Sequence, residues 1–355
     1  MPGRSLQGVD GEDVYIIDVG FDTSRCGFAG TDVPQVVLPS VAGFSGRSRA
    51  ILGSEMENPE LTLVRRPLEY TADRVDWDAD SSEVIISSLP PWQDNWSGSL
   101  SRPSVLLSEP NVGCQKMRDQ CAELLLEKHG AQAIGFVATA VLNATAVGRS
   151  GATVVDVGAG QTSVMQVQDG GAVAESLMQS SYSGRALDQA LLEELTRQGV
   201  TLSSPAMQAA EQRCLHFVLR RAQDMKESMC YCSYKPLSEM PDPTPLSYIL
   251  PDGNNVAVHK FANGVPETLL APSGDFPGVP ALLAASLAEE TRAAVKRPRH
   301  DSAVVLVGGS TRFVNFAPRF EQAATRIVGR KMEITTAPAH LRHPAWLGAS
   351  IRATS

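Results

Sequence analysis

The chain has no apolar run approaching the length of a membrane span. Its opening stretch, MPGRSLQGVDGEDV, lacks the apolar core of a secretory signal. Cysteine is sparse and unpaired: Cys26, Cys114, Cys121, Cys214, Cys230 and Cys232 fall in apolar strand or helix contexts, none in a CxxC spacing. That argues against a disulfide framework and against a zinc site, and it makes cytosol or nucleus the expected compartment. An excess of positive charge is missing as well. With 31 Lys and Arg against 39 Asp and Glu, the net charge of −8 disfavours a duplex-binding surface, so neither nucleic acid nor membrane is expected as a direct partner. What is present is 43% hydrophobic and 20% charged residues over 355 positions, enough for two globular domains with cores of their own.

Two stretches organise the rest. Ala152 to Val164 reads ATVVDVGAGQTSV, a short strand ending in Asp156 that runs into Gly158 and Gly160 and returns through Thr162, Val164 and Val167 towards Gly170. Val14 to Gly30 reads VYIIDVGFDTSRCGFAG and repeats the plan, with Asp18, Val19 and Gly20 at its tip. Glycine lets a backbone approach an anion closely, and successive N–H groups in such a turn form a concave anion site. Two copies predict a duplicated domain that closes on one ligand.

Between and after the hairpins the chain alternates strand and helix. Residues 1 to 12 read as a flexible lead, PQVVLPSVAGFSG as a short strand bounded by Pro34 and Pro39, and residues 45 to 80 as polar and irregular, with a short strand at Leu61 to Val64. A helix over Ser81 to Leu89 is stopped by Pro90 and Pro91. Ser104 to Ser108 is a buried strand, and Gln115 to His129 is a helix capped by Gly130. A strand over Ile134 to Ala138 then leads into a helix over Ala140 to Val147. The second half repeats the rhythm. Helices are expected at Arg185 to Arg197, Met207 to Cys230, Val279 to Val295 and Phe316 to Val328. A proline-rich excursion occupies Pro236 to Asp252, and a strand over Ala303 to Val307 delivers Gly308, Gly309 and Ser310 into a turn.

Four further segments, CGFAG with PSVAG (Cys26 to Gly30, Pro39 to Gly43), DMKESMCY (Asp224 to Tyr231), LVGGSTRF (Leu306 to Phe313) and APAHLRHPAWLGASI (Ala337 to Ile351), follow in order around the two hairpins. Together they resemble the actin and actin-related proteins, and the resemblance runs from Val14 to Ile351. It implies a duplicated α/β fold of two domains flanking a nucleotide cleft. The small domain would take residues 1–146 with 343–355, and the large one 147–342.

The same resemblance implies a cofactor, ATP or ADP with Mg2+, or else an emptied pocket. Gly20 with Arg25, and Gly158 with Gly160, would face phosphates. Lys226 and Glu227 would flank adenine and ribose, Gly308, Gly309 and Ser310 would turn beneath the nucleoside, and Phe313 and Arg342 would close the base pocket. Asp18 and Asp156 would hold magnesium through water. Taken alone, Lys226 and Glu227 read as ordinary solvated charges on a helix, and the glycines as tight turns.

The departures point away from turnover. At the positions where hydrolysing relatives carry a glutamine, an acidic residue and a histidine, this chain has Thr139, Ala159 and Ser163, none suited to activate water. Phe21 replaces the usual serine of the first phosphate loop. No residue is therefore assigned a catalytic role, and the expectation is a pseudo-ATPase. The competing reading is an active ATPase of the same superfamily.

The loop by which polymerising relatives insert into a neighbour is reduced to Gly46 to Leu61, and the sequence stops soon after Ile351. These features imply a structural subunit of a multi-subunit assembly, with protein partners that include other actin-family subunits. A partner helix is expected in an apolar, open-floored cleft near Thr139 to Val147 and Ala345 to Ile351. Relatives of this kind serve in chromatin-remodelling and histone-acetyltransferase complexes, or as filament-end caps such as that of dynactin. The basic run Lys296, Arg297, Pro298, Arg299 tips the expected localisation towards the nucleus over the cytoplasm.

Overall fold

A computed structural model describes the chain except residues 1–13, 46–48, 53–60, 72–73, 93–101, 201, 203–210, 241–245, 250–252, 254, 259–260, 293–302 and 339–341. In chain order β1 (Val14–Val19), β2 (Thr23–Phe28) and β3 (Val36–Pro39) open the fold. After them come β4 (Ala42–Ser45), β5 (Arg49–Leu52), β6 (Leu61–Arg65), β7 (Leu68–Tyr70), β8 (Val75–Trp77) and α1 (Ala79–Ser87). Then follow β9 (Ser104–Glu109), α2 (Gln115–Ala122), β10 (Ile134–Ala138) and α3 (Thr139–Ala146). The second half has β11 (Ala152–Val157), β12 (Thr162–Gln168), β13 (Gly171–Ser180), α4 (Gly184–Arg197), α5 (Glu211–Met229), β14 (Leu246–Ile249), β15 (Asn255–Val258), α6 (Phe261–Glu267) and α7 (Val279–Arg292). It closes with β16 (Ala303–Val307), α8 (Phe316–Val328), β17 (Glu333–Thr336) and α9 (Pro344–Thr354).

The duplication is visible in the sheets. One runs β10-β9-β1-β2-β3 and the other, read in the same direction, β17-β16-β11-β12-β13. Each is built on a hairpin, and each is extended by two strands joined through a helix: β9 to β10 through α2, and β16 to β17 through α8. These extensions are parallel, as the pairings Val105 with Ile134 and Ala303 with Glu333 record. A parallel pair needs a crossover, which is why a helix separates each pair in sequence. The two turns also match bond for bond: Gly20 N–H donates to Thr23 O at 3.2 Å, and Gly158 N–H to Gln161 O at 2.9 Å.

The chain divides into two compact units. One holds residues 1–154, 165–177 and 337–355, and the other 155–164 and 178–336. In the first, β1 is buried along its whole length, and its alternation sorts side chains between two cores. Val14 and Ile16 join Leu106, Leu142 and Trp346. Tyr15, Ile17 and Val19 join Leu107, Met117, Trp77 and Leu125 on the opposite face. A strand covered on both faces must be apolar throughout, which is why VYII and SVLL carried such a clear strand signal. In the second unit Val155, Val157, Val164, Leu187, Leu191, Val304, Leu306, Phe316 and Phe320 share one core.

Several expectations needed correction. Residues 45 to 80, read as irregular apart from a strand at Leu61 to Val64, contribute β5 as well as β6, which flank β4 in a three-stranded sheet, and the hairpin β7-β8. Strands of three residues are too short for an alternating pattern to show. The helix expected over 115–129 is α-helical only to Ala122 and continues as a π-helix over Glu123–Lys128, a change of hydrogen-bond register that apolar spacing does not reveal. α1 begins two residues before the expected Ser81 because Asp78 caps it, accepting from Ser81 N–H at 2.8 Å. The excursion over 236–252 contains β14, which pairs with β15. Phe316–Val328 is helical as expected. The lead over 1–12, the basic run Lys296–Arg299, the end of the helix expected to Val295, and most of the reduced loop over 46–61 lie outside the described residues.

Candidate functional site

In the first unit the tip of the β1–β2 hairpin is closed by side chains. Asp18, 4% exposed, is held at both oxygens: Arg25 Nη1 donates to Oδ2 at 2.9 Å, and Ser108 Oγ to Oδ1 at 2.5 Å. Arg25 also donates through Nη2 to Thr23 Oγ1 at 2.6 Å, while its Nε is buried without a partner. Phe21 is buried against the β7 residue Tyr70, with ring centroids 6.1 Å apart. Arg66 clasps it, its guanidinium 4.7 Å from the ring centroid and its Nη1 donating to Phe21 O at 2.9 Å. Thr139 opens α3, and its hydroxyl donates to Asn111 Oδ1 at 3.0 Å. The same oxygen accepts from Ala140 N–H at 2.8 Å, so Asn111 caps the helix from another segment. Arg342 is exposed.

In the second unit three of the predicted residues, Gly158, Lys226 and Ser310, meet at Gly184, a residue the sequence reading passed over. Gly184 N–H donates to Gly158 O at 2.9 Å, Arg185 N–H to Ala159 O at 2.8 Å, and Ser183 Oγ to Ala159 O at 2.9 Å. The start of α4 is thus docked on the glycine loop, and a Cβ on Gly184 would stand 3.2 Å from Ser310 Oγ. Lys226, 6% exposed, donates to Gly184 O at 2.9 Å and pairs with Asp188 at 2.7 Å. It is thus a buried cation holding α5 to α4, unlike its neighbour Glu227, which is exposed and accepts from Gln223. Gly308 turns with φ +92°, where a Cβ would lie 2.6 Å from Asp156 Oδ1 and 2.4 Å from Val157 O, so only glycine fits there. Gly309 is exposed, Phe313 packs half-buried on the core, and Ser163 and Gly160 are buried.

Residues 9–355 match the family described as Actin. The chain belongs to the actin family. It is 28% identical to a protein named "Actin-like protein" from Neurospora crassa, over 95% of this chain and 90% of that one. It is 26% identical to human "Actin-like protein 7B", over 96% of this chain and 81% of that one. The two matching sheets are accordingly the duplicated actin-like α/β fold.

Sequence reasoning missed five side chains that define these sites: Ser108, Asn111, Arg66, Ser183 and Asp188. Ser183-Gly184 before an amphipathic run is a recognisable helix start, and Asp188 lies one turn further on. The others carry no local signal. Near 139–147 and 345–351, where an open apolar floor is expected, Ile351 is exposed and Thr145, Ala146, Val147 and Ala345 are half-buried, while the central residues of both segments are covered. Ala140 to Ala144 and Trp346 to Ser350 are buried, because α3 and α9 pack directly on each other, and Arg352 reaches Gly170 O at 3.3 Å. No described helix is long and apolar enough to cross a membrane.

Burial also governs the thiols. It pushes Cys121, Cys230 and Cys232 up to about 12 and Cys26 to about 11. In the native protein these four are expected to react with a disulfide reagent roughly a hundredfold or more slowly than an exposed cysteine, and at ordinary rates once unfolded. Prompt labelling of Cys230 or Cys232 under native conditions, read by mass spectrometry, would show that the segment following α5 opens more readily than its packing allows.

Proposed function

We propose that this actin-family chain is a non-hydrolysing structural subunit of a larger protein assembly, and that the adenine nucleotide it takes up is retained and not turned over. The observation that carries this reading is the hydroxyl of Thr139. Its proton goes to Asn111, so the group standing where relatives orient water is already engaged. The Ala159 side chain offers no proton acceptor, Ser163 is 5% exposed, and the Phe21 ring is pinned by Arg66 where a loop hydroxyl would otherwise stand. Lys226 supports the turns indirectly, by fixing Gly184 against the Gly158 loop.

With chemistry disabled, the fold would act through its surfaces, and protein partners are its expected ligands. The basic run Lys296–Arg299 supports a nuclear assembly over a cytoskeletal one. One sedimentation experiment tests the reading: the purified chain is incubated with ATP under salt and magnesium that polymerise actin, and phosphate is assayed in the supernatant. The expected result is protein in the supernatant and phosphate at the level of a buffer blank. Turnover well above the blank that Thr139→Ala abolishes, or a concentration-dependent pellet, would sink it.

A further inference from the structure

Away from the hairpin tip, a cavity of about 470 Å3 opens on the first unit between α1 and the helix formed by α2 with its π-helical continuation. Its wall is largely apolar: Trp77 at the end of β8, Ala79 on α1, Cys121 on α2 and the half-buried Leu124. Its rim is acidic. Glu83 on α1 and Glu123 and Glu127 on the π-helical segment are exposed, and Lys128 is the one cation among the described lining residues. Three carboxylates against one ammonium leave an excess of two negative charges at the mouth. Lys128 is paired with Glu83, and among the described residues neither Glu123 nor Glu127 has an ion-pair partner. The change from α to π register begins at Glu123, and Glu123, Leu124, Glu127 and Lys128 of that segment all line the cavity. Such register changes recur at functional sites.

The lining selects its occupant by chemistry. A bare metal ion would leave most of this volume unfilled, and among the described residues no cluster of three or more His, Cys, Asp or Glu side chains is placed to hold one. A wholly apolar group would take water from the carboxylates without pairing them. A long side chain with an apolar stem and a cationic head meets both demands, with its stem on Ala79 and Leu124 and its head at Glu123 and Glu127. Guanidinium suits the head better than ammonium, because its planar fork of donors can serve two carboxylates at once. We propose that this cavity is the docking site for a basic segment of a protein partner, which enters it with an arginine. The inference rests on the reading of this chain as a subunit among protein partners, and it adds the chemistry of one contact.

Fluorescence anisotropy with the full chain and a labelled peptide of Leu-Arg-Arg repeats tests this, beside the same peptide with citrulline in place of arginine. The triple variant Glu83→Gln, Glu123→Gln, Glu127→Gln is expected to weaken binding of the arginine peptide by about tenfold or more at about 50 mM NaCl. The citrulline peptide is expected to bind wild type as weakly. Glu175→Gln, Glu193→Gln, Glu239→Gln removes the same charge from exposed positions outside the cavity lining, and its affinity should stay within about twofold of wild type. All six glutamates are exposed, and circular dichroism checks that both triple variants fold. Equal losses in the two variants would show that the peptide reads only overall acidity, and a citrulline peptide that binds like the arginine one would point to an apolar occupant. Either result overturns the proposal. So does self-association of the chain, seen by sedimentation velocity, that the cavity variant abolishes, since the occupant is then a second copy. If the arginine peptide does not bind while the chain stays in the supernatant and releases no phosphate, the docking proposal fails and the subunit reading stands.

Discussion

Gly348→Ala is expected to destabilise the protein by about 3 kcal/mol and to lower its unfolding midpoint by about 6–12 °C. Gly348 lies in the middle of α9 where that helix crosses α3. An added Cβ would fall 1.8 Å from Leu142 O, 2.6 Å from Leu142 C and 2.9 Å from Leu142 Cα. All three are backbone atoms inside a helix, so no rotamer change can yield, and the helices must separate. Trp346 and Ala349 on α9 share their core with Val14, Ile16 and Leu106 of the sheet, so separation also opens the packing behind the first hairpin. Gly264→Ala is the matched control. It sits inside α6 with nothing within 4 Å of its Cβ position, and it should stabilise by up to about 1 kcal/mol through helix propensity alone. Scanning fluorimetry on the two variants decides the matter. If Gly348→Ala melts with wild type, α3 and α9 do not approach this closely.

Arg319→Met is expected to cost about 3–5 kcal/mol, because it leaves a buried carboxylate without its cation. Arg319 on α8 pairs with Glu267 at the end of α6, their side chains 6% and 10% exposed. Desolvation raises the Glu267 carboxyl above its ordinary value, and the charge and hydrogen bonds of Arg319 act to lower it. Removing Arg319 leaves desolvation unopposed and pushes the carboxyl further up. A carboxyl whose folded-state pKa is raised contributes stability that is fully present below its unfolded pKa and lost as pH rises through the folded value. The deficit of Arg319→Met should therefore be largest at neutral pH and shrink as pH falls into the ordinary carboxylate range. Arg319→Met with Glu267→Leu should recover most of the loss at neutral pH, since an apolar pair of similar volume leaves no charge uncompensated. A deficit that stays constant with pH, or a double variant no better than the single one, would show that Glu267 is not the group left exposed to the loss.

Much of the framework was legible in the sequence because it is set by near neighbours. The runs VYII, SVLL and AVVLV can only be strands covered on both faces, and they are β1, β9 and β16. Gly130, Gly148 and Gly199 mark helix ends because left-handed backbone there favours glycine, and their φ values of 69°, 72° and 77° agree. The repeated Asp-Val-Gly tips announced the duplication, and the ordered motifs announced the family.

What each candidate site residue touches was decided only by tertiary approach. Lys226 reads in the sequence as a solvated charge or a ribose contact, yet it is buried on Gly184, 42 residues away in the chain. Thr139 meets Asn111 across 28 residues, and Asp18 meets Ser108 across 90. Arg25 and Asp18 are only 7 apart, but what brings them together is the β1–β2 register that places them opposite one another. Local patterns fix periodicity and turns within a few residues. Which charge faces which depends on how sheets and helices close over long loops, and a single sequence carries no local signal of that closure.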